Sequence, residues 1–447
     1  MLRNRLLATS LMAFSAAAWA NVTNLAYDGK TVSFAVTGTD RITVEAVTAD
    51  GEHRAMVYAG QPASGYHTVA WNRTDDAGEP LAAGKYALVA SSGWKVTRDS
   101  QFADAGRLQL ANPLCVRSDA KGDLYVVEHG MAGPAYGGGA WNARLRKFHP
   151  NGSPAADFFR WYGARPDEPK VDFIQLPVYA SWVELLGGDT LLVNQQNHIL
   201  TIANPTGKHG ATFAGYQWLI DGEGNRTARA GSAWSIYGLA AGRGNAVYIR
   251  DRHAIRAYDR TRPGFDGYLY SSAEDLDYPP ARLVQVGPCI ATDRYRRIFV
   301  TSQSGLTRYT DDGTKIERKY SAAGPFKECM GLAVAPSGLV YVVDRGVIVD
   351  ATTIRSKPPL QMAGRLYAFW DNGGELVCVW QMEDKDLIGA HDIACSPDSK
   401  ALYVLEDADN YGRRFMTYPP PGLQGKGRMF KYNVTAAHET RKAFTVE

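Results

Sequence analysis

One phrase recurs along this chain in six states of decay, and a chain written this way must build its core by setting equivalent units side by side. The clearest copies read NPLCVRSDAKGDLYVVEHG at 112–130, KECMGLAVAPSGLVYVVDRG at 327–346 and GAHDIACSPDSKALYVLEDAD at 389–409. Weaker copies are VYASWVELLGGDTLLVNQQN at 178–197, WSIYGLAAGRGNAVYIRDRH at 234–253 and VGPCIATDRYRRIFVTSQSG at 286–305. Each has a short apolar strand, a tight polar turn, and a second strand ending in an aliphatic run and a polar or acidic residue. A third strand follows, as in ARLRKFHPNG, GLTRYTDDG and GRLYAFWDNGG. Short strands repeating at such even intervals predict propeller blades, and six copies predict six of them. The expected fold class is all-β, with almost no helix beyond the first twenty residues.

The wording of the copies resembles the NHL repeat family over roughly residues 107–447. That resemblance implies a six-bladed β-propeller over 98–447 and leaves the chemistry open, because propellers host many functions. Residues 21–97 follow another rule. TVSFAVTG, ITVEAVTAD, HRAMVYAG, HTVAWNRTD and KYALVASSG alternate as half-buried strands do, which predicts a small antiparallel β-sandwich. Within it, GYHTVAWNRTDDAGEPLAAGKYALVAS resembles the FlgD-type immunoglobulin-like domain. Trp71, Asp75, Asp76, Gly78, Ala83, Gly84 and Tyr86 stand at the positions that mark that family. The expectation is an immunoglobulin-like sandwich with Trp71 in its core and a turn held by Asp75 and Asp76, serving as a spacer or docking module. The likeness also implies a bacterial source.

Residues 1–20 carry Arg3 and Arg5, an apolar stretch from Leu6 to Phe14, and Ala18-Trp19-Ala20. This order predicts a signal peptide cleaved before Asn21 and an exported protein, periplasmic or extracellular. The apolar run is shorter than the ~20 residues of a spanning helix, and no later segment reaches that length, so no membrane span is expected. A formal charge of +3 with both signs interspersed offers no basic face to nucleic acid. The five cysteines, at 115, 289, 329, 378 and 395, form no C-x-x-C pattern, so structural zinc and covalent haem are not expected. Cys115, Cys289 and Cys395 fall on inner strands, where cysteine serves as a small buried apolar residue.

Aligned blade by blade, the copies yield rings of equivalent positions around the channel mouth. Second strands end at Glu128, Asn194, Asp251, Ser302, Asp344 and Glu406, and His129, Gln195, Arg252, Gln303, Arg345 and Asp407 follow them. Inner strands begin at Leu114, Ala180, Tyr237, Pro288, Met330 and His391. The acidic strand ends belong to the repeat itself, since a carboxylate there can accept backbone N–H bonds from the next turn. Residues that break the pattern point to function. His391, His129, Arg345 and Tyr237 are the candidate catalytic groups, because an oriented histidine suits acid–base work. Glu128, Asn194, Asp251 and Glu406 are the oxygen ligands available to a divalent metal such as calcium.

Loop length adds a second argument. Blade 1 inserts HGMAGPAYGGGAWN after its second strand, blade 5 RGVIVDATTIRSKPPLQMAG and blade 6 DADNYGRRFMTYPPPGLQGKG, while the other blades turn back within a few residues. In a closed ring blades 5, 6 and 1 are consecutive, so the insertions wall one half of the mouth. Long loops on a rigid scaffold commonly carry function. Tyr136, Trp141, Tyr411, Arg413, Arg414 and Tyr418 from this wall, with Arg252, are the candidate ligand-binding residues, since such groups stack on sugars and peptides.

The expected function is binding of a polysaccharide, peptide or protein ligand at the propeller mouth. The alternative is a propeller enzyme in the same cleft, a lyase or a lactonase-like hydrolase. Among six-bladed NHL-like enzymes, peptide-amidating lyases hold a zinc through three inner-strand histidines; only His391 stands at such a position here, so a zinc site of that type is not expected. The SPDSKALYVLED wording is similar to gluconolactonase-like propellers, which implies calcium held by Glu, Asn and Asp near the channel. A polysaccharide lyase built on a propeller is a further alternative, in which His with Tyr or Arg would neutralise a uronate and remove its α-proton. No G-x-S-x-G, H-E-x-x-H or phosphate-binding glycine loop occurs.

Overall fold

The computed structural model describes residues 21–447 except 77, 105–106, 111–112, 130–142, 159–168, 177–179, 187–189, 196–197, 204–211, 219–235, 243, 252–253, 263–267, 273–289, 294–296, 303–304, 323–325, 327–328, 346–362, 388–389 and 407–426. Five sheets of four antiparallel strands follow one another in chain order, and a sixth is assembled from distant parts of the chain. Their innermost strands are Pro113–Ser118, Ala180–Leu185, Ile236–Ala241, Ile290–Thr292, Cys329–Val334 and Ala390–Cys395. Each packs on the next, and Ala390–Cys395 packs back on Pro113–Ser118, which closes a ring of six blades. The second strands show why the repeat reads as it does. Val340–Asp344 and Ala401–Glu406 are buried along their whole length, so their sequences run apolar without alternation. The all-β expectation holds. One short 3-10 turn, Phe102–Asp104, is the helical element among the described residues, and none there could cross a membrane as a helix.

The sixth blade takes Ala390–Cys395, Ala401–Glu406 and the first part of Gly427–Val446 from the C-terminal side. Its outer edge comes from the other end of the chain. Arg107–Leu110 pairs with Gly427 to Phe430, and the end of Gly84–Arg98 pairs with Tyr432 to Val434. The last strand then leaves the blade. From Thr435 to Val446 it continues along Gly84–Arg98, whose other side pairs with Ile42–Thr48 and so reaches His53–Gly60. One sheet therefore runs from blade 6 into the N-terminal part, and two strands cross the expected boundary at 97/98.

A second sheet of Asn21–Tyr27, Thr31–Thr37 and Gly65–Ala70 covers that extension. The alternation read in TVSFAVTG is real: Val32, Phe34 and Val36 point into a core shared with Val44, Ala46, Leu88 and Val446. Trp71 joins it, donating its indole N–H to the Thr74 carbonyl at 3.0 Å. Phe444 of the last strand contacts Tyr27, Trp71 and Tyr86. Asp75 holds the turn as expected, accepting the Glu79 N–H at 3.0 Å. Asp76 does not. Its carboxylate turns inward to the Met56 N–H and to His53.

Strand direction places the two parts. In every blade the first strand runs away from the mouth and the second returns to it, so the turn at 335–338 lies on the opposite face. There Met56, Ala59, Trp94 and Val96 pack on a core that includes Ala335, Leu339 and Trp370 of blade 5. The sandwich sits under the propeller, away from the mouth.

Candidate functional site

The ring of inner-strand starts coincides with a recurring backbone device. Register slips by one residue between Pro113 and Cys115, Ala180 and Val183, Ile236 and Gly238, Cys329 and Leu332, and Ala390 and Asp392. Each slip is a β-bulge, which adds one residue to the inner strand and re-aims a side chain at the end nearest the mouth. Leu114, Tyr237 and His391 are the added residues of their blades. A histidine therefore occupies, in blade 6, the place that a leucine fills in blade 1.

His391, at the end of its strand nearest the mouth, is fully buried. The indole of Trp182 stacks on it from blade 2, with centroids 6.5 Å apart and planes at 21°. Arg345 of blade 5 reaches it from the other side, with Nη2 3.5 Å from Nδ1, and its Nε donates to the Ala390 carbonyl at 3.3 Å. A guanidinium only donates, so this contact favours a neutral ring protonated on Nε2. Two of the four candidate catalytic residues are thus brought together. For His129 and Tyr237 the backbone is described and the side chains are not: His129 lies opposite Ala143, and Tyr237 is at its bulge.

Both strand-end glutamates offered as metal ligands are held by arginines. Glu128 is buried and accepts the Arg144 Nε at 2.6 Å, with Arg146 at 3.6 Å. Glu406 is buried and paired with Arg428. In both cases the arginine stands directly opposite on the third strand; Arg365 stands opposite Asp344 in register, but its Nε donates to Glu383 at 3.1 Å. Burying a carboxylate demands such a partner. These arginines belong to blades 5, 6 and 1, the blades with long insertions. Their signal was in the sequence as Ala-Arg or Gly-Arg at the start of ARLRKF, GRLYAF and GRMFKY. Among the described residues no three His, Cys, Asp or Glu side chains converge as a metal site. The side chains of Asn194 and Asp251 lie outside the described residues. So do Tyr136, Trp141, Arg252, Tyr411, Arg413, Arg414 and Tyr418.

Below the histidine a second charged group bridges three inner strands. Asp392 accepts the Val116 N–H at 2.8 Å and lies 3.3 Å from Arg117, which donates to Glu184 at 3.1 Å. Burial pushes the Asp392 carboxyl up to about 7, against the pull of Arg117 and Val116. Cys115, between these strands, is buried and its thiol is pushed up to about 12 by that burial, which leaves it inert. The Asp392–Arg117–Glu184 set was missed by reading one blade at a time, because its three members sit in blades 6, 1 and 2.

No family model matches the chain and no curated protein matches it in sequence, so the NHL and FlgD-type likenesses remain readings of its residues. Solved β-propellers do match. A streptogramin B lyase aligns at 11% identity and TM-score 0.39 over 77% of this chain and 98% of its own. A luciferin-regenerating enzyme aligns at 12% identity and TM-score 0.41, over 77% and 96%. Virginiamycin B lyase from Staphylococcus aureus aligns at 10% identity and TM-score 0.41, over 77% and 100%. Likeness at this level transfers no substrate and no residue role, and the propeller assignment stands on the sheet order and the closed ring.

Proposed function

We propose that this chain is an exported bacterial propeller protein that holds a polysaccharide, peptide or protein ligand at the mouth, with the sandwich beneath as spacer or docking module. One observation carries the choice of binding over chemistry. The described acids and bases under the mouth are already engaged by the protein's own side chains: Glu128 by Arg144, Glu406 by Arg428, His391 by Arg345 and Trp182. Such groups build a rigid floor, and recognition falls to the insertions above it. Export rests on residues 1–20, and sequencing the mature N-terminus for Asn21 tests it.

A glycan and peptide binding screen on the mature protein, with elemental analysis for metal, identifies the ligand class. Tyr411→Ala or Trp141→Ala is then expected to weaken binding about tenfold or more, by ~1.4 kcal/mol or above, with the melting temperature nearly unchanged. Loss of fold stability with unaltered affinity would mean that these aromatics only pack on one another.

A bulge-borne histidine beside an arginine favours a second reading, a lyase or lactonase-like hydrolase in the same cleft. Under that reading His391→Ala abolishes turnover of the identified substrate, and His391→Asn does not restore it. Under the binding reading the Asn variant behaves as wild type, since an amide can accept the Arg345 contact.

A further inference from the structure

The seam between the sandwich and blade 5 holds a charge cluster remote from the mouth. His53 opens the strand His53–Gly60 and is buried. Its Nδ1 lies 2.8 Å from Glu45 Oε2, and its Nε2 lies 2.7 Å from Asp76 Oδ2. Ionised carboxylates only accept, so both ring nitrogens must donate, and only the imidazolium has two N–H groups. Asp76 is fixed from its other oxygen by the Met56 N–H at 2.7 Å. The imidazolium meets the Trp370 indole of blade 5 edge-on, with centroids 6.4 Å apart. Arg297 of blade 4 lies 5.7 Å from the same indole and is itself paired with Asp293 and Asp371. Gly338 makes the approach possible. Its φ is +82°, and a Cβ there would stand 2.6 Å from Trp370 and 3.6 Å from Asp76.

We propose that this seam is a proton-held latch: the imidazolium of His53 fixes Glu45 and Asp76 in the arrangement that docks on Trp370, and loss of its proton opens the seam. A neutral imidazole has one N–H. It would leave one carboxylate facing a lone pair and remove the cation that bridges two carboxylates whose side chains are 16% and 3% exposed, a loss that costs more the less water reaches them. The strands shared by sandwich and blade 6 keep the parts joined, so the opening is local.

Burial alone would lower the histidine's pKa. The hydrogen bonds and charges of Asp76 and Glu45 more than offset it and raise the value to about 9. The sign follows: a raised histidine pKa gives stability that is complete below the ordinary value near 6.5 and is lost as pH climbs through about 9. Other charges at the seam do not titrate in that window. Arg54 pairs with Glu52 at the surface, Arg297 stays cationic, and burial holds the Tyr341 hydroxyl well above its usual range.

Hydrogen exchange on the full chain tests the latch, following backbone amides of 53–60 and 335–342 from about pH 7 to about pH 10 after correction for intrinsic base catalysis. In the wild-type protein, protection on both sides of the seam is expected to fall together, about tenfold or more, between about pH 8 and pH 10, while inner-strand amides hold. His53→Gln is expected to show the opened seam already at pH 7, with no further change as pH rises. Wild-type seam protection that persists unchanged to pH 10 would overturn the proposal, and that arm needs no variant to fold. A His53→Gln protein that keeps both the protection and its pH dependence would overturn it equally.

Discussion

Truncation after Ala436 is expected to unfold the sandwich and lower the stability of the whole chain by on the order of 5 kcal/mol. The removed residues pair with Ser92 back to Gly84, and they supply Phe444 and Val446 to the sandwich core. Losing Phe444 strips Tyr27, Trp71 and Tyr86 of a shared ring contact at 5.2 to 5.7 Å. Phe444 is half-buried, so its share falls below the about 3–5 kcal/mol of a fully buried aromatic, and the buried Val446 and the lost cross-strand pairs supply the rest. Denaturant unfolding and proteolysis within His53–Gly60 measure it. A truncated protein with wild-type resistance and midpoint would show that the sandwich is complete without its last strand.

The second large effect is expected at Gly331, where blades 5 and 6 meet around the channel. A Cβ at this position would stand 2.4 Å from Asp392 Oδ1 and 2.5 Å from Asp392 Cα. The Cα is backbone and cannot swing aside, so Gly331→Val must force the two inner strands apart. Overpacking of this kind costs about 1–3 kcal/mol for a single added group, and valine adds three carbons. The cleanest check adds Asp392→Ala. Removing the carboxylate relieves the first clash and leaves the second, so the urea midpoint of the double variant should stay well below that of Asp392→Ala alone. Full rescue would mean that the side chain, not the backbone, sets the spacing.

How much of this was legible in the sequence depends on the range of the interaction. The blades were readable because each is a local repeat, and runs such as ALYVLE record burial on both faces. The ring of inner-strand starts was readable too, because alignment places His391 where Leu114 stands, although no sequence pattern shows the bulge that aims them. The burial of His391 was not readable, since it depends on Trp182 and Arg345 arriving from blades 2 and 5. Asp76 was read as a turn residue like Asp75, because a turn aspartate caps neighbouring N–H groups in most settings. Its actual partner, His53, is twenty-three residues away. The arginines opposite Glu128 and Glu406 sat in plain view in ARLRKF and GRMFKY. They went unread because a cross-strand partner is fixed by a loop whose length the sequence gives and whose path it does not.

The strand from Gly427 to Val446 has a consequence for how the protein is made. Its partner, Gly84–Arg98, leaves the ribosome more than three hundred residues earlier and has one hydrogen-bonding side vacant until the end arrives. Chain-closure entropy grows only slowly with such a separation, so the finished contact is affordable. The wait is the difficulty. An unpaired strand in a half-built sheet invites pairing with a neighbouring chain, and pairings this distant form slowly. A chaperone that shields Lys85–Val96 during synthesis would serve this protein better than one that shields any blade. The sandwich is begun before the blades and completed after them.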